Sequence, residues 1–419
     1  MKKIYKEIIS IALPAMGENV LQMMMGMVDS YLVAGLGMVA LSGVSVANNI
    51  LAIYQALFIA LAAAISARLA QSSNQGEQVV GTRMTESLKL TLLVSGILGL
   101  VAILAGPSLL ALLGAEAAVV ETGGLYLTLV GGAVVFLGLM TSLSAILRSL
   151  GRPALPMYVS LLSNLLNILL SAFAVFVLHA GVAGIAVGTV LSRLIGCLLL
   201  WSQLPVPLAE WTWSMDKDLV RLALPAAGER LMMRAGDVVV VSLIVSLGTA
   251  VLAGNAIGET LTQFNYIPAM GVATALVILT ARYRKDKTQV ARLLQAGLFL
   301  SVGCMVLVAG LAYLFGPQLT RLYTEDILVA KASQTVLFYS LLGVPVTAAT
   351  LILTALWQGL GNAKLPFFAT SMGMWLVRIL GALILVKVFK LGLDAIWIAT
   401  ILDNAFRAGL LYICYKKWL

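Results

Sequence analysis

Few side chains in this sequence can carry charge or move a proton. Of 419 residues, 18 are acidic, 27 are Lys or Arg, and one is His. The acids set inside apolar stretches are therefore conspicuous. Asp29 sits in Met27-Val28-Asp29-Ser30-Tyr31-Leu32-Val33. Arg230, Arg234 and Asp237 are spaced by four and three residues, which puts all three on one face of a helix. Asp403 and Arg407 are one helical turn apart, and Arg378 lies in a neighbouring apolar segment. Glu18 and Glu229 each follow a proline, Pro14 and Pro225, by one turn. An ionised group in lipid is costly, so such residues mark ion or substrate paths, or pair with one another. Catalysis by other means finds no support. There is no Walker motif, no metal-ligand cluster and no nucleophile beside a base, so neither an enzyme nor an ATP-driven pump is indicated, and no cofactor is called for. Cys197, Cys304 and Cys414 are far apart and read as packing residues. His179 reads as a solvated loop residue.

The elements that must position these groups are membrane helices. The chain is 61% hydrophobic and 11% charged, with mean hydropathy +1.02. A soluble domain is about a quarter charged, and disorder needs low hydrophobicity. At about 20 apolar residues per span, the length holds about 12 spans and no soluble catalytic domain. We place them at about 8–33, 43–70, 87–113, 124–148, 155–178, 182–203, 218–246, 251–280, 290–315, 333–357, 366–389 and 393–414. An apolar run of this length in lipid becomes a helix, because every backbone donor and acceptor must be satisfied internally. The opening MKKIYKE resembles a signal peptide, but its apolar run lacks a cleavage site and reads as a retained span. Eighteen of the basic residues fall on one set of connections and four (Arg321, Lys331, Lys387 and Lys390) on the other. That bias predicts both termini in the cytoplasm of a plasma (inner) membrane protein. The formal charge of +9 reflects these loops rather than nucleic-acid binding.

The longest polar stretch, 204–221, lies mid-chain and carries Trp211 and Trp213, candidates for headgroup anchors. It separates two similar halves. Ala12-Leu13-Pro14-Ala15-Met16-Gly17-Glu18 matches Ala223-Leu224-Pro225-Ala226-Ala227-Gly228-Glu229 at six of seven positions, and Gly37 and Gly43 map onto Gly248 and Gly254 at the same offset. Leu150-Gly151 and Pro156 match Leu360-Gly361 and Pro366. The expected organisation is an N-terminal lobe at 1–203, a cytoplasmic linker at 204–217 and a C-terminal lobe at 218–419. They are parallel repeats of six spans each, the arrangement in which transporters rock one half against the other.

The paired ALPxxGE openings, Met27-Val28-Asp29 with Gly35 and Gly37 beyond, and the turn Leu147-Arg148-Ser149-Leu150-Gly151 together resemble the multidrug and toxic compound extrusion (MATE) family, nearer its DinF-like branch. The likeness covers essentially the whole chain. It implies a V-shaped pair of six-helix bundles and antiport of an organic, often cationic, compound against H⁺ or Na⁺. It also implies site positions. The first-span Asp, 15 residues after Pro14, is Asp29, and Gln22 lies midway. The fifth-span Asn-x-x-x-Asp becomes Asn167 and Ser171, and the sixth-span Thr is Thr189. The second-lobe acid of another branch is absent: Met233 takes its place, and the tenth span has no acid. With one carboxylate where the family pattern has two, the expected coupling ion is H⁺ rather than Na⁺. A lipid or lipid-linked saccharide flippase of similar architecture is the alternative.

Counting residues from the span ends at 1.5 Å per residue puts Asp29, Ser171 and Thr189 in the outer half of the bilayer, with Asn167 nearer its middle. Three helices of one lobe then converge on one polar pocket. Each of these residues has a second reading as a hydrogen-bonded packing residue. Pro14 and Pro225 should kink their helices, either as gates or as static bends. The Arg234–Asp237 face is either an internal salt-bridge cluster or a substrate cavity wall, and Arg234 is expected within reach of Asp237 or Asp403. A mixed-charge wall points to an anionic or zwitterionic cargo. The run Met23-Met24-Met25 with Met27 circles its helix as packing, or as part of a promiscuous apolar site.

Overall fold

A computed structural model describes residues 2–72, 75–210 and 215–418. Trp211 and Trp213 lie outside the described residues. Every regular element among those described is helical. The first half runs α1 (Lys2–Ala34), α2 (Met38–Ser72), α3 (Glu77–Leu112), α4 (Ala117–Tyr126), a π-helical turn (Leu127–Gly131), α5 (Val134–Ser149), α6 (Ala154–Phe176) and α7 (Gly181–Ser202). The second runs α8 (Lys217–Val245), α9 (Thr249–Tyr283), α10 (Lys287–Leu314), α11 (Gly316–Arg321), α12 (Ile327–Leu342), α13 (Val344–Gly359), α14 (Lys364–Met372), a π-helical stretch (Gly373–Ile379), α15 (Leu380–Lys387) and α16 (Leu393–Trp418).

Among the described residues nine helices are long and apolar enough to cross a membrane, or up to eleven if each bent pair counts as one span. The bent pairs are α4 and its π turn with α5 (43°) and α12 with α13 (57°). The twelfth expected span corresponds to α8, 29 residues long. Its Glu229, Arg230, Arg234 and Asp237 make it too polar to pass a test on apolar composition. The helices also outrun the apolar stretches at most ends, because polar residues at the interface continue the helix beyond the hydrocarbon.

The helices group into two compact units, Gly17–Ala223 and Met1–Met16 with Leu224–Leu419. Of the expected 1–203 lobe, the first sixteen residues therefore pack within the second unit. There Tyr283 donates to Glu7 (3.1 Å), and Tyr5 meets Phe299 edge-on. The core of the first unit joins Val33, Val44, Tyr54, Phe58, Leu127 and Ile185. In the second, buried residues cluster around Val240, Val336 and Trp397 and around Ala269, Met305 and Ala348.

The repeat is visible in the backbone. Gly37 and Gly248, which open α2 and α9, have φ of 108° and 112°, a left-handed conformation that a side chain would strain. His179 and Lys390 are the two non-glycine residues with positive φ among those described, at 50° and 54°, and share the same offset. The two sharp bends also correspond, at Gly132 and Gly343.

In the first unit, the segment entering α8 is tied down by charge. Asp216 accepts from Arg68 Nε and Arg83 Nη1, both at 2.7 Å, and from the Asp218 backbone N–H at 2.9 Å. Thr85 reaches back to the Ala209 carbonyl at 3.3 Å. Burial alone pushes the Asp216 carboxyl up, but Arg68 and then Arg83 outweigh it and hold it below its ordinary value. A depressed folded value contributes stability that is complete above the unfolded value and lost as pH falls through the folded one. Asp216→Asn is thus expected to cost about 2 kcal/mol at neutral pH, the scale of hydrogen bonds to a charged group. Thermal unfolding in detergent should show the gap closing below about pH 4. A gap that persists there would contradict an electrostatic origin.

Candidate functional site

The first unit holds a buried polar group between α6 and α7. Asn167 and Ser171 are one turn apart on α6 and fully buried. Thr189 faces them from α7, and Asn167 Nδ2 donates to its hydroxyl at 3.0 Å. The Thr189 hydroxyl in turn donates to the Ile185 carbonyl at 3.0 Å. The two helices approach closely because position 188 is glycine: a Cβ there would stand 2.7 Å from Ser171 Oγ and 3.0 Å from its backbone nitrogen. Asp29 on α1 is 8% exposed. Tyr126, the last residue of α4, lies with its hydroxyl against Thr189, directly before the π turn. π-Turns inside helices occur frequently at functional sites.

Asn167 Oδ1 and Ser171 Oγ here, and Asp29 Oδ1 on α1, are buried oxygens without a hydrogen-bond partner. Orphaned buried acceptors are rare. Of the expected coupling residues, Asn167 and Thr189 meet directly, and Ser171 packs against Gly188. Asp29 and Tyr126 both interact electrostatically with Arg193 on α7. Arg193 falls inside the expected span at 182–203 and was given no role from sequence. Its spacing of four from Thr189 was the available signal. Tyr126 carried no comparable signal. Gln22, on α1, is exposed and its side chain accepts from Gln55 at 3.3 Å.

The second unit holds the mixed-charge cluster with different pairings from those expected. Arg234 is exposed and forms no ion pair with Asp237 or Asp403 among the described residues. Asp237, whose side chain is 40% exposed, pairs instead with Arg378 of the π-helical stretch at 3.3 Å. The physical reason is orientation. A base one turn before an acid is the weaker order on a helix, whereas Arg378 reaches across from an adjacent element. Asp403 pairs with Arg407 at 3.0 Å, and Arg407 also donates to Asn404 (2.9 Å) and Thr370 (3.4 Å). Glu229 accepts from Thr370 (3.1 Å) and Gln358 (3.5 Å). Its repeat mate Glu18 is instead ion-paired with Arg148. Pro14 and Pro225 lie within unbroken helices. No group of three or more His, Cys, Asp or Glu side chains able to hold a metal occurs among the described residues.

Known proteins share both the sequence and the fold. The MatE family model matches residues 14–173 and again 225–384, the matches beginning at Pro14 and Pro225. A probable multidrug resistance protein NorM of Thermotoga maritima is 30% identical, over 99% of this chain and 93% of that protein. An uncharacterised transporter of Bacillus subtilis, YisQ, is 24% identical over 98% and 93%. A MATE protein crystallised in its bent conformation superposes with a TM-score of 0.89 at 21% identity, covering 99% of this chain and 95% of that one. A MATE family transporter in an outward-facing conformation, of the MOP superfamily, gives 0.89 at 20% identity. With two copies of the family model spanning most of its length, and a relative matched nearly end to end, this chain belongs to the MATE family of multi-pass membrane transporters.

Proposed function

We propose that this chain is a secondary antiporter that exports small organic, often cationic, compounds in exchange for protons by alternating access. The observation that carries the reading lies in the first unit: Asp29 is a buried carboxylate with Oδ1 unpartnered, in the same unit as the buried Asn167–Thr189 pair. A proton binds one oxygen of one acid. Sodium needs several hard oxygen ligands and negative charge to offset its dehydration, and Ser171 supplies a hydroxyl where a second carboxylate would stand. The names of relatives as probable multidrug resistance proteins support the cargo class. Gln22, Asp237 and Arg234 are all at least partly exposed and are assigned to cargo contact. Pro14 and Pro225 are assigned as bendable points. The charge bias of the loops supports a plasma-membrane protein with both termini cytoplasmic. No cofactor enters this scheme.

The test is efflux of a cationic dye such as ethidium from proteoliposomes holding the full-length protein. Efflux under a pH gradient without sodium, and none under a sodium gradient at fixed pH, is the expected outcome. Transport that requires sodium would overturn proton coupling, and transport under neither gradient would overturn antiport.

A further inference from the structure

Basic side chains from three segments far apart in sequence gather at one end of the second unit. Arg282, Arg284, Lys285 and Lys287 frame the turn from α9 into α10. Lys416 and Lys417 lie in the last turn of α16. Lys287 Nζ stands 5.3 Å over the Trp418 ring, which joins the turn to the end of that helix. Trp418 stacks on Tyr415, and Lys416 Nζ lies 5.7 Å over the Tyr412 ring. The start of α1, with Lys2, Lys3 and Lys6, meets the same turn, because Tyr283 donates to Glu7 at 3.1 Å. All nine basic residues are exposed. The three segments hold two acids, Glu7 and Asp286. Both are engaged: Glu7 by Tyr283, and Asp286 as the cap of α10, accepting from the Gln289 N–H at 3.0 Å.

Membrane topology asks only that basic residues lie on one side. In the first unit such residues are answered by acids: Arg68 pairs with Asp216 and Asp218, Arg83 with Glu86 and Asp216, and Arg148 with Glu18. Lys285, Lys416 and Lys417 have no ion pair among the described residues. We propose that this end of the second unit is a docking surface for anionic phospholipid headgroups, such as phosphatidylglycerol. The lipid phosphate supplies the negative charge that the chain does not. The apolar run of α16 continues to Cys414, so its two lysines stand where a hydrocarbon span gives way to headgroups. Tyr412, 43% exposed, lies one turn before Lys416, and amphipathic rings of this kind settle at headgroup level. A soluble acidic partner would meet the same charge but would have no use for rings placed at the end of a span. Each Lys or Arg near an anionic membrane surface strengthens binding by about fivefold. The attraction decays over about 8 Å at physiological salt, so it acts on headgroups in contact with this end and weakens as salt is added.

The experiment titrates the purified full-length protein in detergent with phosphatidylglycerol or phosphatidylcholine and reads thermal unfolding. Wild type is expected to melt higher with phosphatidylglycerol than with phosphatidylcholine, and the difference should shrink as salt is raised. The triple variant Lys285→Gln, Lys416→Gln, Lys417→Gln is expected to need at least about twentyfold more phosphatidylglycerol for the same rise. Arg321→Gln, Lys331→Gln, Lys387→Gln, which removes as many charges from the other set of connections, should respond as wild type does. Equal responses of wild type to the two lipids would overturn the proposal. So would a triple variant with the wild-type response, or an equal loss in both triple variants. An equal rise with glycerol 3-phosphate or polyglutamate, at the same concentration of charge, would mean a soluble anion and overturn a lipid surface. If the first triple variant does not fold, Lys285→Gln alone decides: a loss of about fivefold supports the surface, and an unchanged response ends it.

Discussion

Asp29→Asn is expected to abolish gradient-driven efflux while leaving the protein folded. The substitution keeps the size and one oxygen of the side chain, so the packing of α1 against its neighbours is retained. It removes the group that takes up and gives back a proton. Asn167, Ser171 and Thr189 are neutral and do not replace it. The initial rate should fall by at least about a hundredfold, the scale on which loss of an essential proton-transfer group acts. Proteoliposome efflux under a pH gradient, with gel filtration of the purified variant as the folding control, gives both readings. Wild-type efflux rates in the variant would remove Asp29 from the mechanism.

The second large effect lies in the other unit and concerns stability. Asp403 is 0% exposed, and its one ion-pair partner among the described residues is Arg407, itself 6% exposed. Arg407→Met keeps the apolar stem but strands a buried carboxylate. It also removes the guanidinium that donates to Asn404 and Thr370. Breaking one side of a buried pair costs about 3–5 kcal/mol, whereas replacing both sides by apolar groups is often close to neutral. Arg407→Met should therefore melt well below wild type. The double variant Asp403→Leu, Arg407→Met should recover most of the loss. A double variant as unstable as the single one would mean that the donors to Asn404 and Thr370, not the charge balance, hold this corner together.

The helical layout was legible because each apolar run exceeded the bilayer requirement and lay between polar turns. The duplication was legible because Pro14 and Pro225 lie at the same place in nearly identical heptapeptides. The gathering of Asn167, Ser171 and Thr189 followed from counting depth along α6 and α7. What escaped was lateral. Counting along a helix gives a residue's depth but not which neighbour it faces, so Arg378 was not matched to Asp237, and Arg193 was not matched to Asp29. The sequence spacing of Arg234 and Asp237 suggested a pair, but across-helix reach decided otherwise. The packing of residues 1–16 within the second unit was equally hidden, since α1 runs unbroken through Pro14 and gives no local sign of changing neighbours.

The central claim is that Asp29 couples cargo export to proton uptake, and the most direct measurement is proton release on cargo binding. Purified wild-type protein in weakly buffered detergent solution is titrated with ethidium near the pH at which binding is half inhibited by protons. Release of a proton that is absent in Asp29→Asn, and unchanged when potassium is exchanged for sodium, is the result the account expects. Binding of ethidium with no proton released, or with release that persists in Asp29→Asn, would contradict it.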